Sequence, residues 1–309
     1  MKKPGSTLRE FRRQYPMHIF VWCGMLFLLL FSLIPMLGLV ISFNNYKIKT
    51  GFAGMFTGPW VGFKNFADFL GHRKFGTLVR NTLSISVLKL IFAFPLPIFF
   101  AIIITEMRGK VFKRLVQTAS YLPHFISWTI VAGILHAFFS TNTGMINEVL
   151  MNLGLITEPV PVLISEEWYY TLAVVSEMWK ETGWNAIIYL AAIAGIDPTL
   201  YESAQIDGAG RLKRIWHITL PCILPTIAVL LIMQIGYLFG ANFDQAMLLG
   251  NSLNLARSEI IEVFVYNLGL NQGRYSLAAA AGLFQSIISL ILVIAANNIS
   301  RKLSGASLF

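Results

Sequence analysis

The sequence predicts an all-α, polytopic membrane protein with six spanning helices. Three observations predict it. Of 309 residues, 56% are hydrophobic and only 13% are charged, whereas soluble proteins carry about 25% charged residues. The apolar residues recur in runs long enough to cross a bilayer, which takes about 20 residues each. Lys and Arg fall between these runs and alternate in abundance from one connecting segment to the next.

Length alone would suggest about two soluble domains. The mean hydropathy of +0.65 and the repeated apolar runs override that prior. The net charge of +9 raises the question of nucleic acid. The basic residues lie between apolar spans rather than on one folded face, so they read as topology signals and no nucleic-acid partner is expected.

The elements follow in order. A basic tail, 1–16, precedes a first span at 17–43. This start is basic and then apolar, like a signal peptide, but the apolar stretch exceeds the about 7–15 residues of a cleaved core. An uncleaved span is therefore expected. An extracytoplasmic loop, 44–79, leads into a core of 80–299, and 300–309 is a cytoplasmic tail. The further spans are 80–104, 114–139, 168–195, 222–247 and 276–299. Lipid offers the backbone no hydrogen bonds, so all six should be helices. The fourth span is interrupted by Glu177, Lys180 and Glu181.

Orientation comes from the cations. Lys2, Lys3, Arg9, Arg12, Arg13, Arg108, Lys110, Lys113, Arg114, Arg211, Lys213, Arg214, Arg301 and Lys302 share one side. The opposite side holds Lys47, Lys49, Lys64, Arg73, Lys74, Arg257 and Arg274. Fourteen against seven predicts that both termini are cytoplasmic. The first outer loop is an exception, since it carries five of the seven. The second outer loop has no Lys or Arg and carries Glu148, Glu158, Glu166 and Glu167.

Several chemistries are not indicated. Cys23 and Cys222 form no C-x-x-C pattern, so neither a disulfide framework nor a zinc site is expected. Bulky Val21-Trp22 before Cys23 argues against a lipoprotein cleavage site. The five His residues lack metal-ligand spacing, and no serine lies in a G-x-S-x-G elbow. No catalytic residue, metal or resident cofactor is predicted, and the chain is not read as an enzyme.

The most informative segment is 197–221. Asp197-Pro198 reads as an N-cap followed by a first helical residue. Thr199 to Gln205 would form a short helix, Asp207-Gly208 and Gly210 a turn, and Arg211 to Ile218 a second helix stopped before Pro221. Alone, such a helix–turn–helix is too short to be stable in water, so it would gain order in a partner's groove. The bland alternative is a solvated connecting loop.

This segment resembles the signature loop, often called the EAA loop, of permease subunits of binding-protein-dependent ABC importers. Their pattern runs Glu-Ala-Ala, three residues, Gly, nine residues, Ile, one residue, Leu-Pro. Glu202, Ala204, Gly208, Ile218, Leu220 and Pro221 match it, Ser203 replaces the second-position Ala, and Asp207, Ala209 and Trp216 are common choices. The resemblance implies a MetI-like transmembrane fold and a coupling helix seated in a cleft of a separate ATPase. Glu202 would pair there, Gly208 would permit the tight turn, and Trp216 and Ile218 would anchor the second helix. The chain has no G-x-x-x-x-G-K-[ST] phosphate loop, so ATP and magnesium are expected on that partner.

Shorter stretches, Tyr121-Leu-Pro-His-Phe125, Gly144-Met-Ile-Asn147, Trp179 with Gly183, and Asn242-Phe-Asp-Gln245, resemble sugar-importer permeases of the polysaccharide or oligosaccharide branch. The resemblance implies a second permease that is a paralogue of this one, two ATPase subunits, an extracellular solute-binding lipoprotein and a sugar or oligosaccharide cargo at the bacterial plasma membrane. Glu177, Trp179, Lys180, Glu181, Trp184 and Tyr189 of span four, and Gln234, Tyr237, Asn242 and Asp244 of span five, are the candidate sugar contacts. Aromatic faces stack on C–H surfaces, and amides and carboxylates bind hydroxyls. Glu177 and Lys180, three apart, are expected to pair, and Lys89 to snorkel outward. Interfacial anchoring of the Trp and Tyr residues is the competing role. Three alternatives stay open: an ion-coupled transporter or channel using the buried charges as a relay, a membrane enzyme, and an importer of a non-sugar solute.

Overall fold

The computed structural model describes residues 14–304. The basic cluster Lys2 to Arg13 and the last five residues lie outside the described residues. The described chain is helical, with no β-strand beyond an isolated bridge between Asn44 and Trp60. It divides into two compact units. One comprises the chain up to Leu70 with Leu268–Leu283, the other Gly71–Asn267 with the segment from Phe284 onward.

In the first unit, α1 begins at Tyr15 and runs to Phe43, including a π-turn at Leu29–Leu33 and a closing 3-10 stretch at Leu37–Phe43. It is apolar all round and almost wholly exposed, which suits a helix surrounded by lipid. The predicted bounds of this span agree with the helix. The following loop is scaffolded. Phe43 stacks on Trp60 at 5.6 Å and packs against Phe63 and Phe66. The short helix α2, Lys64–Leu70, places the Asn65 amide so that it donates to Ser42 O and Asn44 O at 2.9 and 3.0 Å.

The second unit is organised by a 29-residue helix. Its elements are α3 (Phe75–Glu106), α4 (Lys110–Phe125), α5 (Trp128–Phe139), α6 (Met145–Asn152), α7 (Glu166–Ala194), α8 (Pro198–Ile206), α9 (Arg211–Gly236), α10 (Phe243–Leu249) and α11 (Ile261–Tyr266). The final helix, α12 (Tyr275–Ser304), enters it from Phe284. Helix α7 packs on both halves of α3, on α4 and on α9. Two apolar clusters flank its middle. One gathers Ile85, Tyr169, Leu172, Ala246 and Ile260, the other Ile98, Ala101, Ala186, Tyr189 and Ile223. The charged residues 177–181 sit between them, near the midpoint of a helix about 43 Å long.

Four helices, α1, α3, α9 and α12, are long and apolar enough to cross a membrane, and α4 with α5 would make a fifth. Helix α7 is long enough but carries its charges mid-length. Three sequence expectations need correction. The third span is not one helix: α4 and α5 meet at 102°. Pro123 closes α4 in a 3-10 turn, Ile126 is extended, and Ser127 caps α5 by accepting from Ile130 N. The fifth span ends at Gly236, not 247, because the chain breaks and restarts at Asn242. Finally, Pro221 does not stop a helix, since α9 runs through it.

The reason lies in a shared register. π-turns at Leu29–Leu33, Lys89–Ala93 and Ile215–Thr219 are followed, two residues on, by Pro35, Pro95 and Pro221. A proline offers no N–H and crowds the carbonyl four residues back. In each wide turn the residue just before the proline bonds five residues back, as Phe94 N does to Lys89 O at 3.0 Å. The helix thus absorbs the proline instead of ending.

Candidate functional site

Two arrangements in the second unit stand out. The first is a cavity of about 200 Å³ enclosed by α3, α7 and α9. Lys89, Glu177, Glu181, Asn185, Tyr189, Gln234 and Tyr237 line it. A smaller recess adjoins it at Ser86, Lys89, Glu177, Gly240 and Asn242. The Ser86 hydroxyl there is buried without a hydrogen-bond partner.

Lys89 is the anchor. It does not snorkel, being 6% exposed. Its Nζ donates to Glu177 Oε2 at 3.1 Å, to Gln245 Oε1 at 2.7 Å and to Ala241 O at 3.4 Å. The π-turn that starts at Lys89 directs this side chain into the protein. Gln245 is held in turn, donating to Ala173 O and Ser176 Oγ at 2.7 and 2.8 Å. Asn242 donates to Glu177 Oε2 at 3.0 Å. It adopts φ +69, a left-handed conformation that Asn tolerates better than most residues. Its Oδ1 accepts from Gln245 N, which starts α10.

Glu177 therefore pairs with Lys89, not with Lys180 as the spacing suggested. Lys180 pairs with Glu181 at 3.0 Å and donates to His124 O at 2.7 Å. Glu181 also meets His124 Nδ1 at 2.7 Å. Glu177 and Glu181 thus each have their own cation, so the like charges four residues apart are compensated separately. Charges buried in this way persist only when so paired.

The other candidate contacts divide. Glu177, Glu181, Tyr189, Gln234, Tyr237 and Asn242 line the cavity or its recess. Trp179, Lys180, Trp184 and Asp244 do not. Trp179 projects outward and is half exposed. The Trp184 ring stacks on His124 at 4.3 Å with an interplanar angle of 1°. Asp244 is on the exposed side of α10 in its first turn, where a carboxylate suits the helix dipole. Four lining positions, Ser86, Thr182, Asn185 and Met233, escaped the sequence reading because neutral residues in an apolar run carry no local signal. Lys89 carried one, a charge six residues before Pro95.

The second arrangement is the 197–221 loop. Asp197 accepts from Thr199 N at 2.9 Å and caps α8, and Pro198 is its first residue. These bonds hold the exposed Asp197 carboxyl below its ordinary range. Gly208 turns the chain at φ +73, and Ala209 N bonds to Ala204 O. Tyr201 OH bonds Thr219 Oγ1 at 2.9 Å, tying α8 to the π-turn of α9. Glu202, Ser203, Asp207 and Pro221 are exposed, and Ala204, Ile218 and Leu220 half-buried. Ile206, Leu212 and Trp216 are 87%, 73% and 65% exposed. Trp216 thus anchors nothing within this chain. Apolar side chains this exposed in a polar loop mark a surface for a partner.

A family model for the inner membrane component of binding-protein-dependent transport systems matches residues 93–305. Protein LplB of Bacillus subtilis (strain 168) is 42% identical over 304 residues, covering 98% of this chain and 94% of the relative. The polygalacturonan/rhamnogalacturonan transport system permease YteP of the same organism is 40% identical over 301 residues, covering 97% and 92%. The crystal structure of a bacterial ABC transporter involved in import of the acidic polysaccharide alginate is 38% identical with a TM-score of 0.87, covering 96% of this chain and 99% of that one. The helical architecture, the loop after α7 and these matches together assign the chain: it belongs to the family of inner membrane components of binding-protein-dependent transport systems, and is a permease subunit.

Proposed function

We propose that this permease carries an oligosaccharide through the cavity enclosed by α3, α7 and α9, and that a separate ATPase drives it through the 197–221 loop. The observation that carries the cargo assignment is the cavity lining. Two tyrosines, two amides (Asn185 and Gln234) and a carboxylate held by Lys89 face one volume near the midpoint of α7. Such a lining offers rings to stack on C–H faces and polar groups for many hydroxyls. Two similar proteins, the polygalacturonan/rhamnogalacturonan permease YteP and the alginate importer, support a saccharide.

The loop supports the second half of the proposal. Glu202 makes no ion pair among the described residues, and the apolar Ile206, Leu212 and Trp216 lie open. Together they provide a seat for a partner's groove. The partners are a second permease, two ATPase subunits that bind ATP and magnesium, and an extracellular solute-binding lipoprotein. Both termini are cytoplasmic in this arrangement, on the side of the basic segments around Arg108 and Arg211. Glu106 and Arg211 approach to 3.9 Å, which supports a common side for these segments.

The test is uptake of a labelled oligosaccharide by proteoliposomes holding the assembled importer. Combined Gln234→Leu and Tyr237→Ala should reduce uptake at least about tenfold with assembly intact, because both side chains line the cavity and a site that hydrogen-bonds its ligand discriminates through those groups. Wild-type uptake by this variant would remove the cavity from the path. Uptake that persists without ATP would restore the ion-coupled reading.

A further inference from the structure

The five cations of the first outer loop run against the charge rule that otherwise orders this chain. The first unit explains part of the exception. Lys47, Lys64 and Arg274 line one cavity of about 340 Å³, together with Tyr46, Tyr275 and Asp68. Nothing in the cargo cavity or the 197–221 loop uses them.

These cations differ from others on the same side. Lys74 pairs with Glu259 at 2.7 Å, and Arg257 lies over the Tyr170 ring at 5.0 Å. Lys47, Lys64 and Arg274 form no ion pair among the described residues. Asp68 lines the cavity but bridges none of them. The cavity therefore carries three cations against one carboxylate, each cation exposed to solvent.

The walls, by contrast, are held in place. Tyr46 N donates to Ser276 Oγ at 2.9 Å, joining segments 230 residues apart. Asn65 clamps the backbone at Ser42 and Asn44. Arg274 N bonds to Leu268 O at 2.9 Å. The Tyr46 and Tyr275 rings meet edge to face at 6.0 Å, and both are half-buried. Exposed cationic side chains thus surround a half-buried aromatic pair.

We propose that this cavity binds the carboxylates of an acidic, uronate-type oligosaccharide on the extracytoplasmic side. Lys and Arg supply charge-assisted bonds to carboxylates, and the tyrosines supply ring faces and hydroxyls for the pyranose. A neutral sugar would gain no charge-assisted bond from the three cations. The inference rests on the oligosaccharide reading above and narrows it to acidic saccharides.

The experiment uses the assembled importer in nanodiscs of zwitterionic lipid, without binding protein. Binding of a tetra-uronate is compared with that of a neutral tetrasaccharide, for the wild type and for the combined Lys47→Gln, Lys64→Gln, Arg274→Gln variant. The expected result is uronate binding that weakens with salt and falls about tenfold in the variant, with neutral binding unchanged. ATPase stimulation by the binding protein serves as a second readout and should persist in the variant. Unchanged uronate affinity overturns the proposal. So does a variant that loses only stimulation, which would make the cavity a dock for an acidic protein surface. A wild type that binds neither saccharide would sink the oligosaccharide reading itself.

Discussion

The cavity among α3, α7 and α9 and the 197–221 loop use similar residue types in opposite ways. In the cavity, Lys89 bonds to partners 88, 152 and 156 residues away, and no charge is left to solvent alone. In the loop, most bonds close within five residues, as in Asp197 with Thr199 and Ala204 with Ala209. Its charges and large apolar side chains face outward. The charges of the cavity are thus satisfied within this chain, whereas the loop leaves its charged and apolar side chains exposed. The difference predicts that variants of the buried Lys89–Glu177 network will damage folding, and that loop variants will damage coupling.

Lys89→Met tests this most severely. It leaves the Glu177 carboxylate and the Gln245 carbonyl without their cation, and breaking a buried pair costs about 3–5 kcal/mol. Thermal unfolding of the purified importer should shift down sharply, and adding Glu177→Gln should recover much of the loss. An unchanged midpoint in the single variant would mean that water, not Lys89, satisfies Glu177.

Next comes Gly183→Ala. A Cβ at Gly183 would overlap the Ser120 carbonyl, where α7 crosses α4. Helix α4 must move, at a cost of about 1–3 kcal/mol from overpacking. The same unfolding assay should register a smaller shift, and a shift as large as that of Lys89→Met would reverse this ranking.

The loop should behave differently. Glu202→Ala should alter stability by under about 0.5 kcal/mol, while ATPase co-purification and uptake fall together. Undiminished uptake with normal co-purification would make the loop a mere connector. The smallest effect belongs to Asp197. Its carboxyl titrates below its ordinary value, so its capping contribution is complete above that ordinary value. The contribution is lost only as pH falls through the lowered folded value. Hydrogen exchange at Thr199 should rise across that acidic window, and Asp197→Asn should abolish the pH dependence.

Much of this was legible from residues alone, though unevenly. The cap at Asp197, the turn at Gly208 and the first span at 17–43 are local events set by neighbouring residues, and the chain carries them in plain view. The cavity was half legible. Glu177, Tyr189 and Gln234 were found by their polarity inside apolar runs, but Asn185 and Ser86 are too ordinary to notice. Trp184 and Asp244 shared the right chemistry and face elsewhere. The bend between α4 and α5 was missed because Pro123 was read within an apolar run, where a proline can be either absorbed, as Pro95 and Pro221 are, or allowed to end a helix.

By itself, then, the amino-acid order determined the helical membrane class and the motif of the loop after α7. Each depends on composition or on contacts a few residues apart. Only the tertiary structure decided that Lys89 turns inward to Glu177, that Lys180 takes Glu181 and His124 instead, and that Lys47, Lys64 and Arg274 share one cavity. All but the adjacent Lys180–Glu181 pair join residues tens to hundreds of positions apart. In a medium where an unpaired charge is so costly, packing selects the partner, and sequence spacing cannot.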